Sequence, residues 1–139
     1  MARARQVREI ALQVLFAWDA SGEVDERAAL QMAMDAEPKD ATTRMAAMDS
    51  AHKAWEYRKQ SDAWIERLAP QWPPRRQPSV DRNLLRLALW ELTGRDTPPK
   101  VVVDEAIELA KQYSTEGSPA FINGVLDSVL KELGHLKSE

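Results

Sequence analysis

Apolar side chains recur at Ala4, Val7, Ile10, Ala11, Val14, Leu15 and Trp18, the three-and-four spacing of one helix face. Gly22 predicts the end of that helix. Acids outnumber bases from Glu23 to Asp40, where a short helix centred on Ala28 to Met34 is predicted, closed by Pro38. Asp40 to Ala69 holds neither Gly nor Pro and favours helix throughout. One long helix is predicted there, with Met45, Met48, Trp55, Ile65 and Leu68 as its buried residues. Its middle, His52 to Asp62, is polar and shows no clear buried face. Pro70, Pro73, Pro74 and Pro78 are too dense for any helix and mark the main break in the chain.

Beyond the break the pattern is plainer. Ser79 suits the cap of a helix running to Leu92, with Val80, Leu84, Leu85, Leu87, Ala88 and Leu92 on a wide apolar face and Gly94 just past the end. Pro98 and Pro99 open the next helix, which aligns Val102, Val103, Ala106, Ile107 and Ala110. The last helix is predicted to start with Ser118 as cap and Pro119 in its first position, to carry Phe121, Ile122, Val125, Leu126, Val129, Leu130 and Leu133, and to end at Gly134. Gly124 lies inside it, where glycine costs about 1 kcal/mol relative to alanine, so a closely packed neighbouring helix is predicted. No strand signal competes. The prediction is an all-α fold of about six to seven helices in two small bundles, an N-terminal half over 1–70 and a C-terminal half over 79–136, packed as one globular domain over 1–139.

Composition narrows the function classes. A chain of 139 residues with 44% hydrophobic content and only five Gly suits one compact core. Lys plus Arg is 19 against 22 acids, a net charge of −3, which excludes a uniformly basic nucleic-acid coat but leaves room for a local patch. With no Cys, disulfide scaffolds, thiolate metal sites and cysteine nucleophiles are excluded, and a reducing compartment is the natural setting. No apolar run approaches the ~20 residues of a membrane span. The N-terminal arginines are not followed by the uninterrupted apolar stretch of a secretion signal, because Gln13 breaks it. A soluble, cytoplasmic protein is expected.

Candidate chemistry is sparse. No catalytic residue, metal site or cofactor is predicted. His52 and His135 each follow an acid by three positions, Asp49 and Glu132, yet the inward-facing acids that a di-metal helix bundle needs are missing, so both read as surface histidines. Asp104, Glu105 and Glu108 occupy early turns where the helix dipole already favours acids. Arg3, Arg5 and Arg8 form either a solvated tail or a phosphate grip, since guanidinium donates in a bidentate fork. Tyr113 and Phe121 flank the loop Ser114 to Ser118, as core aromatics or as rings on which unpaired bases stack.

Four stretches occur together in order: Arg8 to Phe16 (REIALQVLF), Val80 to Leu92 (VDRNLLRLALWEL), Asp104 to Lys111 (DEAIELAK) and Phe121 to Asp127 (FINGVLD). In this combination the chain resembles the NusB family of bacterial transcription antitermination factors. The resemblance implies two small helical bundles and a protein that binds boxA single-stranded RNA together with the ribosomal protein NusE. It further implies action with other Nus factors on the RNA polymerase elongation complex, notably in ribosomal RNA operons. By the same resemblance Arg3, Arg5, Arg8, Gln13, Lys111, Tyr113, Phe121 and Asn123 are the RNA-binding residues, and Asp81 matches an acidic position facing the partner protein. Ala4 and Gln6 interrupt the arginine cluster, and Ala120 stands where relatives are frequently basic, so weaker RNA binding without NusE is expected. Two other readings stay open: a protein-only helical adaptor, and an RNA-binding module serving an RNA methyltransferase.

Overall fold

Among the described residues the apolar stripes find their partners in seven α-helices: α1 (Ala4–Ser21), α2 (Glu26–Asp35), α3 (Ala41–Glu56), α4 (Arg58–Leu68), α5 (Ser79–Leu92), α6 (Pro99–Tyr113) and α7 (Ser118–Ser138), with a 3-10 turn at Pro74–Arg76. The computed structural model describes residues 4–35, 40–94 and 97–138, so Arg3 and Pro38 lie outside the described residues. No strand occurs among those described, and no helix is long and apolar enough to cross a membrane.

α1 buries Ile10, Ala11, Leu12, Val14, Leu15 and Trp18, and Gly22 ends it at φ 82°, its N–H donating to Trp18 O at 2.8 Å. That left-handed conformation is one glycine adopts without strain. The Trp18 indole donates to Asp25 O at 3.0 Å, and Asp25 in turn accepts from Ala28 N–H at the start of α2. Asp40 caps α3 by accepting from Thr43 N–H at 2.7 Å.

The single long helix predicted over Asp40 to Ala69 is two helices that part at Tyr57. Ala47, Ala51, Ala54 and Trp55 face a first apolar cluster with α1 and α2, whereas Ile65 belongs to a second cluster with α5, α6 and α7. The break turns the chain from one cluster to the other. Arg58 secures it: its guanidinium lies 4.0 Å from the Trp55 ring centre and donates to Trp55 O at 2.9 Å. Met45, predicted buried, is 72% exposed, because the small alanines rather than the methionines let α3 approach α1. The polar stretch gains a place as well. His52 lies 4.9 Å from the Trp18 ring and 2.8 Å from Glu26, and Asp62 accepts both nitrogens of a fork from Arg86.

Between the clusters runs a buried polar network. Asp19 on α1 accepts from Arg82 and Asn83 and faces Arg86 at 3.3 Å, and Arg86 is only 6% exposed. Burial alone would raise the Asp19 pKa, but hydrogen bonds from Arg82 and Asn83 and the two arginine charges together hold it below its ordinary value.

Three helix-end predictions differ from the structure. Ser79 does not cap α5; its hydroxyl faces Asp19 and Asn83 instead. Ser118 is already the first residue of α7, and its hydroxyl donates to Asp81 at 2.8 Å. α7 runs through Gly134 to Ser138, since an isolated glycine weakens a helix without ending it.

Candidate nucleic-acid interface

Four residues per step along α1 place Arg5, Glu9 and Gln13 on one edge. α6 lies beside that edge. Arg5 grips Glu105 in a bidentate fork, Nε to Oε1 at 3.1 Å and Nη2 to Oε2 at 2.6 Å. Further along, the Tyr113 hydroxyl donates to Glu9 at 2.5 Å. Burial first, then that bond and the Glu9 charge, push the Tyr113 hydroxyl up to about 12, so it is a neutral donor under all ordinary conditions. The Arg5 hydrogen bond pulls Glu105 below its usual range, leaving it a carboxylate. Gln13 is exposed one turn beyond Glu9, and Lys111 is exposed with Glu108 at 3.4 Å.

Arg8, expected to meet phosphate beside Arg5, points inward. Its residue is 8% exposed, and its Nε and Nη2 grip Glu91 of α5 at 2.9 and 2.8 Å. Only its Nη1 turns toward the candidate site, 4.0 Å from Glu105. Asp81 is likewise inside, 3% exposed, with one carboxylate oxygen accepting from Ser114 and the other from Ser118. Thr115 also bonds the Ser118 hydroxyl, at 2.7 Å. Asp81 therefore holds the turn between α6 and α7.

Beyond the turn, Asn123 is exposed on α7, while Phe121 is half-buried. Phe121 and Trp72 line two adjoining grooves, one of about 260 Å³ with Gln77, Pro78 and Asp81, the other of about 470 Å³ with Pro70, Gly124 and Val125. Among the described residues no ring contact joins Phe121 to Tyr113, so the two aromatics do not form one stacking platform. Trp72, 58% exposed, has no place in the sequence-based set. Its signal was a large aromatic set among prolines, off every helical stripe. Glu9, Glu91 and Glu105 were missed for a different reason: each reads as an ordinary helix-surface acid until α1, α5 and α6 are brought together. Gly124 meets open space rather than a neighbouring helix, so the predicted close packing there is absent.

No group of three or more His, Asp or Glu among the described residues is placed to hold a metal ion. The side chain of His135 lies outside the described residues.

The sequence profile of the NusB family matches residues 5–131. The transcription antitermination protein NusB of Solibacter usitatus is 41% identical over 135 residues, spanning 96% of this chain and 92% of that protein. NusB of T. maritima superposes with a TM-score of 0.81 at 34% identity, covering 95% of this chain and 94% of that one. A chain from a crystal structure of the antitermination factors NusB and NusE in complex with dsRNA gives a TM-score of 0.81 at 26% identity, covering 93% and 96%. These relatives are named as antitermination factors rather than enzymes. A profile match over nearly the whole chain, agreeing with its relatives in both sequence and helix arrangement, makes this chain a member of the NusB family.

Proposed function

We propose that the protein is a transcription antitermination factor that binds boxA RNA together with NusE and delivers that pair to the RNA polymerase elongation complex. The observation that carries this reading is the family match over residues 5–131, together with the likeness to a chain from a complex of NusB, NusE and double-stranded RNA. In this proposal Arg3 and Arg5 meet phosphates, with Lys111 adding charge at the far end of α6. Gln13 and Asn123 present amide donors and acceptors to base edges, and Tyr113 and Phe121 offer ring faces at separate points along the RNA. Arg8 holds α1 against α5, which keeps the edge carrying Arg5 and Gln13 in place relative to the rest of the fold. Asp81, through the Ser114–Ser118 turn, sets the start of α7 beneath the partner protein. The proposed setting is the cytoplasm, where nascent RNA is made.

Fluorescence anisotropy with a labelled single-stranded boxA RNA and its scrambled counterpart, with and without NusE at two salt concentrations, tests this. A boxA preference that strengthens with NusE and weakens with salt is expected. Equal binding to both RNAs, or none, would overturn it. That result would favour a protein-only adaptor, a reading supported by the engagement of both Arg5 and Arg8 with carboxylates of the same chain.

A further inference from the structure

We propose that Glu105 is an affinity-setting residue: an internal anion seated on Arg5, which an RNA phosphate must displace in order to bind. The inference rests on the RNA-binding reading above and adds to it the competitor that RNA meets.

The geometry of the pair carries the inference. A carboxylate forked on a guanidinium presents two oxygens at the spacing a phosphate would use, so the two ligands compete for the same pair of N–H groups. Both Arg5 donors that form the fork are taken by Glu105. Glu105 is itself held from the protein side, 16% exposed and 4.0 Å from Arg8 Nη1, while Arg5 stays 54% exposed. The acid is thus anchored and the base is free to swing. Glu9 and Glu108 add further negative potential around Arg5, so an approaching phosphate meets a neutralised patch rather than an open cation. An ion pair this exposed is weak. It therefore sets how tightly RNA is held without shutting RNA out. The Arg8 fork on Glu91 has no such role, because both partners are about nine-tenths buried.

Anisotropy titrations of labelled single-stranded boxA RNA with wild type, Glu105→Gln, Arg5→Ala and the double variant test the proposal. Glu105→Gln should tighten binding about fivefold. The gain should vanish when Arg5 is already alanine, because no guanidinium remains to be freed. In wild type, an NMR titration of the Glu105 carboxyl gives a second readout that needs no variant: its pKa should rise when saturating RNA takes Arg5 away. If Glu105→Gln leaves binding unchanged or weaker, or the Glu105 titration ignores RNA, while Arg5→Ala still weakens binding, the displacement proposal fails and the RNA-binding reading stands. If wild type binds no RNA, or Arg5→Ala binds as tightly as wild type, the assignment of Arg5 to RNA fails and takes this proposal with it.

Discussion

Arg5 and Arg8 stand three residues apart on α1 with the same charge, and their surroundings divide them. Arg5 is half exposed and paired at the rim, whereas Arg8 and Glu91 lie buried together between α1 and α5. Arg8→Ala should therefore act on folding: it leaves Glu91 shielded from water without a partner, at a cost of about 3 kcal/mol in urea denaturation. Arg5→Ala should leave the denaturation midpoint nearly in place and lower the salt slope of RNA binding by about 0.7. The reverse pattern would show that the two arginines had been assigned the wrong way round. Gly124 is a second position where side-chain space decides the outcome. A methyl group there meets open solvent, so Gly124→Ala should stabilise α7 by about 1 kcal/mol, a Tm rise of a few degrees in calorimetry. Residue types singled out arginines and aromatics as candidates. They did not tell an arginine that faces water from one that faces Glu91, because that depends on which helix lies alongside.

At the level of elements, the helices whose apolar stripe is wide and bounded by Gly or Pro were legible: α1 before Gly22, α5 after the prolines, α6 from Pro99. The α3–α4 division was not, since Tyr57 is neither Gly nor Pro and local helix preference runs straight through it. What separates the two helices is tertiary: Ala54 and Trp55 belong to one cluster and Ile65 to the other. The turn between α6 and α7 shows the same limit. Ser118 suits a helix cap by type, yet its hydroxyl is drawn to Asp81, an acid 37 positions away. Asp81→Ala would take away the acceptor shared by the Ser114 and Ser118 hydroxyls, leaving them only each other and Thr115, costing about 2 kcal/mol and raising hydrogen exchange first in the 114–118 amides. Unchanged exchange there would show that the turn holds without Asp81.

For the whole molecule, charge pairing gives stability a direction in pH. Glu132 accepts from Arg67 and from the Trp64 indole, which together bring its carboxyl down to about 2, and Asp19 and Glu105 are also lowered. Groups whose folded pKa lies below the unfolded value bind fewer protons when folded, so their stabilisation is present above about pH 4.5 and lost as pH falls through the folded values. Tyr113 has the opposite sign: its contribution is complete below about pH 10 and fades as pH rises toward 12. Urea midpoints should therefore fall as the pH drops from about 4.5 toward 2 and again above pH 10; a midpoint that rises on acidification would contradict the pairing. The buried network around Arg86 has a consequence for how the molecule can be divided. The proline-rich stretch between α4 and α5 looks like the natural place to cut, but Asp19 and Asp62 lie before it and their shared arginine after it. A cut there would part Arg86 from both of its acids and open the surface between the two pieces to water. The halves are thus complementary fragments: each should be largely unfolded when expressed alone, and mixing the two should restore the helical signal.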